Sequence, residues 1–175
     1  MAMESATLPQ RLATGMTPNK TVGIAEMLIS TDPSDVLVTY SLGSCLGVTV
    51  HDPDARVGGI IHCMLPLSSV DGEKAKERPF MFVDTGVSIF LQKLFEAGVR
   101  RSSAVVKIAG CASVLDHQNL FRIGERNLTV FRKLMWKNNI IIAAQDVGGA
   151  KSRTVYLDMP TGRTLIRSDR ETVEL

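Results

Sequence analysis

A cysteine and a histidine in the segment 38–66 have the side chains and surroundings that nucleophilic catalysis requires. Cys45 follows Gly43 and Ser44 at a turn between two predicted strands, and His62 lies within an apolar run seventeen residues later. Backbone amides at such a turn are not all used by strand pairing, so Gly43 and Ser44 are candidates for a loop that holds a developing oxyanion. An imidazole in an apolar strand needs a polar partner, and a thiol that meets it becomes an activated nucleophile. The pattern therefore predicts a Cys–His hydrolase site.

Three other interpretations of these residues stay open on spacing alone. A lone buried cysteine is commonly an apolar packing residue, and a lone strand histidine is commonly a hydrogen-bonded core residue. A serine hydrolase would use Ser41 or Ser44, but neither lies in a Gly-x-Ser-x-Gly elbow. A zinc site would lack the usual short spacing between ligands. Its candidate ligands are His51, His62, Cys63 and Cys111.

Strands predominate among the elements that must position these side chains. Apolar alternation and apolar runs predict strands over residues 21–29, 36–40, 46–51 and 57–65. Further strands are predicted over residues 104–109, 140–147, 154–157 and 164–167, the last two joined by a hairpin turn at 158–162. The second strand runs into the turn before Cys45, and the fourth contains His62.

Two amphipathic helices are predicted from a period of about 3.6 residues. In the first helix, Asp84 is the expected N-cap and Gly98 the stop signal. The apolar stripes are Val87, Phe90, Leu91, Leu94 and Phe95 in the first helix and Leu128, Phe131, Leu134 and Met135 in the second. Residues 68–79 are polar and predict a mobile loop. Strands outnumber helices without alternating regularly, which favours a single-domain α+β fold with mixed β-sheet layers flanked by helices.

Composition excludes several classes of function. The 175 residues, 45% hydrophobic and 22% charged, suit one soluble domain. A net charge of +2 argues against a nucleic-acid binder, and no apolar run approaches the ~18 residues of a membrane span. The N-terminus lacks the pattern of an export signal and the three cysteines are far apart, which together favour the reducing cytoplasm. We interpret residues 1–19 as a flexible extension, 20–168 as the domain and 169–175 as a C-terminal tail.

Five sequence blocks resemble a known family. They are LGSC at 42–45, GGIIHCMLP at 58–66, KIAG at 107–110, IGERN at 123–127 and DVGG at 146–149. In this order and spacing the blocks resemble the chemoreceptor glutamine deamidase family (CheD) of bacterial chemotaxis, over about residues 20–168. One block would be a weak signal, whereas five ordered blocks are specific.

The resemblance implies that Cys45 is the nucleophile, that His62 is the general base and that Thr39 orients His62. It implies a fold similar to toxin-type cysteine deamidase catalytic domains. The implied reaction converts glutamines of methyl-accepting chemotaxis receptors to glutamate through a cysteine thioester, without a metal or cofactor. Methyl-ester hydrolysis on the same receptors is also admitted. The implied partners are these receptors and a response-regulator phosphatase of the chemotaxis system, with no nucleic acid and no membrane insertion.

The departures from the family pattern are local. Cys63 stands where phenylalanine is expected, and Cys111 where glycine or another small residue is expected. Adjacent strand residues face opposite sides, so Cys63 should not replace His62 in the site. We interpret both extra thiols as packing residues. In the block at 123–127, Glu125 and Arg126 are expected to form an ion pair and Asn127 to bond loop backbone.

Two alternatives to receptor deamidation stand beside this interpretation. A non-enzymatic adaptor would bind chemoreceptors or the phosphatase and keep its cysteine only as structure. Such an adaptor would have no chemical need for Thr39, Cys45 and His62 together. The other alternative is a glutamine deamidase that acts on a different protein.

Overall fold

Two five-stranded sheets form the framework of the protein, seen in a computed structural model that describes residues 10, 12, 18–113 and 121–175. In the first sheet the strand order is β1-β3-β8-β9-β10, and in the second it is β2-β5-β4-β6-β7. The first-sheet strands are β1 (Lys20–Thr21), β3 (Val36–Leu42), β8 (Arg153–Asp158), β9 (Thr164–Ser168) and β10 (Glu171–Glu174). The second-sheet strands are β2 (Glu26–Ser30), β4 (Leu46–Asp52), β5 (Val57–Cys63), β6 (Val105–Gly110) and β7 (Ile142–Val147). Each sheet is mixed, because β1 pairs with β3 in parallel and β6 with β7 in parallel, while the other pairs are antiparallel.

Helices cover one face of the second sheet. The α-helices among the described residues are α1 (Gly72–Glu77), α2 (Val83–Glu96) and α3 (Ile123–Lys137), and it is α2 and α3 that pack on this sheet. Phe90 and Leu94 of α2 and Phe131 of α3 pack with Ile61 and Val48 of the second sheet in the largest apolar core. Burial of these side chains follows from the predicted helical stripes. The predicted α+β class with mixed sheets and flanking helices is confirmed.

The opposite face of the second sheet packs against the first sheet. Ile60 of β5 lies there with Leu37 of β3 and Leu157 of β8. The second sheet is therefore the middle layer, and every residue of β4 and β5 is buried. A strand that is buried on both faces has a near-continuous apolar sequence, which explains the run around His62.

The strand predicted over residues 21–29 is divided in the structure. β1 ends at Thr21, the chain turns with Ala25 at φ 59°, and β2 begins at Glu26. This turn carries the chain from the first sheet to the second. The apolar pattern continues through the turn because Val22 and Ala25 are themselves buried.

Helix α2 begins two residues earlier than predicted, with Phe82 rather than Asp84 at the N-cap. The Asp84 carboxylate instead accepts a hydrogen bond from the Ser68 amide at 2.9 Å. The predicted mobile loop at 68–79 contains α1, whose N-cap Asp71 accepts from the Lys74 amide. The predicted stop at Gly98 agrees with its φ of 104°. Local capping chemistry thus orders a polar segment that composition alone assigned to a loop.

The last residues of the chain are more ordered than predicted, while the predicted N-terminal bound is not tested. The extension predicted for residues 1–19 lies largely outside the described residues. Residues 169–175 were expected to be a tail, but β10 pairs with β9 and the Leu175 amide bonds the Thr164 carbonyl. This short edge strand is exposed on both faces, so it has no apolar pattern to predict it. Among the described residues, no helix is both long enough and apolar enough to cross a membrane.

Candidate active site

A β-bulge at the end of β3 directs the chain into the turn that carries Cys45. The pairing register between β3 and β8 shifts between Thr39 and Leu42, and Ser41 takes a left-handed φ of 58°. Thr39 is fully buried, whereas Tyr40 and Ser41 are exposed. The bulge thus leaves Thr39 pointing into the interior while the chain bends towards β4.

Hydrogen bonds from elsewhere in the fold hold the carbonyl groups of this turn. The Gly43 carbonyl accepts from the Ala112 amide at 2.8 Å, and the Cys45 carbonyl accepts from the Cys111 amide at 2.8 Å. The Ser44 carbonyl accepts from Nδ2 of Asn127 at 3.0 Å. In a trans peptide the N–H points away from the preceding C=O. The amides of Ser44 and Cys45 therefore point away from these donors.

These two amides are the ones in the turn that an incoming ligand could reach. Neither Ser44 N–H nor Cys45 N–H has a hydrogen-bond acceptor in another residue among those described, although the Cys45 N–H faces its own sulfur. The Gly43 amide, which was also a candidate, donates to the Ser41 carbonyl at 3.0 Å and is not free. Ser44 and Cys45 are both partly exposed, so a ligand can reach their amides. Of the predicted oxyanion loop, the Ser44 and Cys45 amides are therefore open to an incoming ligand and the Gly43 amide is not.

Glycine at position 110 lets the end of β6 approach the turn. Gly110 has a φ of 100°, and a Cβ atom there would collide with the Cys45 carbonyl oxygen. A side chain at this position would displace either β6 or the cysteine. The block KIAG thus contributes a close backbone approach to the site.

The register of β4 and β5 places Cys45 and His62 on the same face of the second sheet. His62 pairs with Gly47, and Cys45 lies two residues before Gly47 along the chain. Residues two apart in a strand share a face, and diagonal cross-strand neighbours have Cα atoms about 7–8 Å apart, with Cβ atoms nearer. Cys45 packs with Leu42 and Val155 in the layer between the two sheets. The two predicted site residues are therefore brought together by strand pairing.

The hydrogen bonds of His62 determine which ring nitrogen carries the proton. Nδ1 lies 2.7 Å from Oγ1 of Thr39, and that hydroxyl also lies 2.8 Å from the Val22 carbonyl oxygen. Because Val22 O only accepts, the single hydroxyl proton of Thr39 is donated to it. The hydroxyl oxygen must then accept from Nδ1–H, so Nε2 of the neutral ring keeps its lone pair. The expected contact between Thr39 and His62 is present.

Nε2 of His62 is buried and has no hydrogen-bond partner among the described residues. The Cys45 thiol makes no hydrogen bond to it, although such a bond was expected. An unpartnered buried nitrogen is unfavourable, and active sites commonly tighten such contacts only when substrate binds.

Burial opposes charge on both groups. It lowers the pKa of His62 from 6.5 to about 4 and raises the pKa of the Cys45 thiol above 9.0, although the backbone amide of Cys45 partly offsets the latter. At neutral pH the pair consists of a thiol and a neutral imidazole. Burial therefore does not favour a resting ion pair of thiolate and imidazolium at this site.

The remaining thiols lie on the other side of the second sheet. Cys63 and Cys111 are buried in the core with the helices, whereas Cys45 is partly exposed. Burial raises the pKa of both thiols, that of Cys111 to about 12. Strand alternation predicted this placement for Cys63, and the interpretation of both as packing residues agrees with it.

The alternative zinc set does not converge in the described part of the chain. His51 lies at the far end of β4 from Cys45, and its Nε2 lies 3.2 Å from the Met159 carbonyl oxygen. No group of three His, Cys, Asp or Glu side chains in the described residues is arranged to hold a metal ion.

Two contacts of the site differ from, or go beyond, the sequence-based expectations. Glu125 pairs with Arg122 at 2.6 Å instead of with Arg126. The Val22 carbonyl, which receives the Thr39 hydroxyl, was not predicted, because a backbone acceptor leaves no signal in the residue type. Asn127 does bond loop backbone as expected, and it does so at the turn of Cys45 itself.

Known proteins provide an independent comparison. The model of the CheD family, described as chemotactic sensory transduction, matches residues 64–168. A probable chemoreceptor glutamine deamidase CheD 1 of Syntrophus aciditrophicus is 45% identical over 147 residues, covering 84% of this chain and 92% of that protein. A probable chemoreceptor glutamine deamidase CheD of Solibacter usitatus is 40% identical over 154 residues, covering 88% of this chain and 91% of that protein.

Among solved structures, the hypothetical protein YfiH of Bacillus licheniformis is similar with a TM-score of 0.45 and 16% identity, over 69% of this chain and 49% of that one. The family match and the level of identity to relatives along most of their length show that this chain belongs to the CheD family.

Proposed function

We propose that this protein hydrolyses the side-chain amide of glutamines on chemoreceptors, with Cys45 as nucleophile, His62 as general base and Thr39 as the residue that orients His62. The observation that carries the proposal is the fixed tautomer of His62. Thr39 and Val22 O hold the proton on Nδ1, so the lone pair of Nε2 is available on the face shared with Cys45. The relatives named above as glutamine deamidases support this choice of reaction.

In the first half of the reaction, His62 Nε2 accepts the thiol proton while the Cys45 sulfur attacks the side-chain carbonyl carbon of glutamine. The carbonyl oxygen becomes an oxyanion, which the amides of Ser44 and Cys45 stabilise. The His62 imidazolium then donates its proton to the departing nitrogen. Ammonia leaves, and a thioester joins the substrate to Cys45.

In the second half, water enters the place that ammonia left. His62 Nε2 accepts a proton from this water, which attacks the thioester carbonyl, and the imidazolium returns the proton to the Cys45 sulfur. The products are a glutamate side chain and the original thiol. The neutral resting pair suits this sequence, because each half begins with Nε2 unprotonated. The same acyl-enzyme would form from a glutamate methyl ester, so methyl-ester hydrolysis on the receptors is part of the proposal.

Exposed apolar side chains near the site support a protein substrate. Ile24 is 48% exposed and lies in the turn that follows the Val22 carbonyl. Leu67 is 38% exposed, five residues after His62. Exposed apolar side chains on segments next to a catalytic group are typical of a surface that receives another macromolecule. We propose the cytoplasmic helical bundle of methyl-accepting chemotaxis receptors as substrate and a response-regulator phosphatase as a further partner, both in the cytoplasm.

The proposal is tested by incubating this protein with receptor cytoplasmic fragments and measuring intact mass. The expected result is the small mass increase that accompanies exchange of an amide NH₂ for OH, with peptide mapping locating it at glutamines. The Cys45→Ala variant is the control, since it removes only the sulfur. A wild-type protein that binds the fragments without changing their mass would instead be an adaptor. Deamidation of a different protein, with receptors unchanged, would overturn the proposed substrate.

A further inference from the structure

Asn127 interrupts the apolar stripe of helix α3. The buried residues of this helix are Gly124, Asn127, Phe131 and Met135, and Asn127 is fully buried. A carboxamide in such a stripe is unfavourable unless it forms hydrogen bonds. The hydrogen bonds that Asn127 forms therefore indicate its role.

Both bonds reach the segments that carry the proposed catalytic pair. Nδ2 of Asn127 donates to the Ser44 carbonyl at 3.0 Å and to the Met64 carbonyl at 3.0 Å. Ser44 precedes Cys45, and Met64 follows His62 by two residues. Because both partners are acceptors, the nitrogen and not the oxygen of the carboxamide must face them. The side-chain oxygen, Oδ1, is buried with no partner among the described residues.

We propose that Asn127 is a positioning residue for the oxyanion donor of Cys45. The Ser44 carbonyl and the Cys45 amide are the two ends of one planar peptide group, so a donor that holds the carbonyl also fixes where the amide points. A hydrogen bond to the carbonyl also polarises the same peptide and strengthens its N–H as a donor. The second bond, to Met64, ties this peptide to the strand of His62.

This inference rests on the acyl chemistry of the proposed function. Through Asn127, helix α3 positions the Cys45 amide, which stabilises the acylation transition state. It does not position the Cys45 thiol. Attack on a carbonyl produces an oxyanion, whereas alkylation of a thiol at a saturated carbon produces none. Loss of Asn127 should therefore slow acylation of Cys45 much more than alkylation of Cys45.

The test uses the full-length protein and two small reagents. p-Nitrophenyl acetate acylates Cys45 through an oxyanion, and iodoacetamide alkylates it without one, with peptide mass spectrometry confirming the labelled residue. Asn127→Asp keeps the shape and removes the donors, and Asn127→Ser is a second, smaller variant. Asn138→Ala is the matched control, because the side chain of Asn138, the C-cap residue of the same helix, donates to the Leu134 carbonyl, away from the turn of Cys45.

One oxyanion donor is commonly worth about 10²–10³-fold in rate, so a misplaced donor should slow acylation by about 10-fold or more. Alkylation should change by less than about 2-fold, since it depends on the thiol and His62 alone. The Asn138→Ala control should change neither rate. Equal losses in the two reactions, or no loss in acylation, would overturn the inference. So would failure of both Asn127 variants to unfold cooperatively, since Asn127 would then serve stability alone.

Receptor deamidation by the wild-type protein is measured separately. If it is absent while the acylation loss is present, the proposed substrate fails and the positioning role of Asn127 stands.

Discussion

The low pKa of His62 predicts a loss of folding stability on mild acidification. His62 titrates near 4 in the folded protein and near 6.5 in the unfolded chain. As the pH falls below 6.5, the unfolded chain binds a proton that the folded protein refuses, so the free energy of unfolding decreases towards pH 4. At pH 5 the proton-binding polynomial of His62 is about 30 times larger in the unfolded chain than in the folded protein. This ratio lowers the free energy of unfolding by about 2 kcal/mol at 25 °C.

The assay is urea unfolding at pH 7 and pH 5 for the wild-type protein and for His62→Gln, which cannot titrate. Acid also removes the stabilising contribution of buried carboxylates such as Asp52. Burial raises the pKa of Asp52, but hydrogen bonds from Arg100 and other groups lower it by more. The contribution of these carboxylates is common to both proteins and cancels in the comparison. The wild-type free energy of unfolding should therefore fall by about 2 kcal/mol more than that of the variant.

A second histidine supplies the control. His51 is buried at the other end of β4, with its own lowered pKa, so His51→Gln should retain the part of the acid sensitivity that comes from His62. Equal losses in wild type and His62→Gln would refute the reasoning, because His62 would then not be held neutral by burial. Retention of the difference would support an imidazole that is ready to act as a base at neutral pH.

Four further predictions concern the site. Cys45→Ala should fold normally and lose deamidation activity, and measurable deamidation by this variant would contradict the assignment. Cys63→Ala and Cys111→Ala should keep deamidation activity and each lower the free energy of unfolding by about 1 kcal/mol. Thr39→Val should lower kcat by about 10²-fold or more while Thr39→Ser retains activity, because only a hydroxyl accepts from Nδ1–H; equal kcat values would argue against the orienting role. The alkylation rate of Cys45 should keep rising from pH 7 to pH 9, since the thiol pKa is raised; a plateau below pH 7 would indicate an ion pair. Gly110→Ala should cost about 1–3 kcal/mol of unfolding free energy through its positive φ and slow Cys45 acylation, and an unchanged melting temperature would count against the close approach.

The elements that could be predicted from local sequence are those whose periodicity reports their own burial. The apolar stripes of α2 and α3 and the buried runs of β4 and β5 are of this kind. The division at residues 23–25 and strand β10 could not be predicted in the same way. Val22 and Ala25 are buried, so the apolar pattern continues through the turn at 23–25. Strand β10 is an edge strand whose residues are all exposed.

For the site, the sequence by itself determined the chemical groups and the face on which one of them lies. Cys45 and His62 followed from the motifs, the family resemblance implied Thr39, and strand alternation assigned Cys63 to the opposite face from His62. Only the tertiary structure decided that Val22 O accepts from Thr39, that Asn127 holds the Ser44 peptide, and that both members of the pair rest uncharged. These contacts join residues 17 and 83 positions apart, and the charge state depends on burial between two sheets. Register and burial are properties of the assembled layers, and no local pattern of residues encodes them.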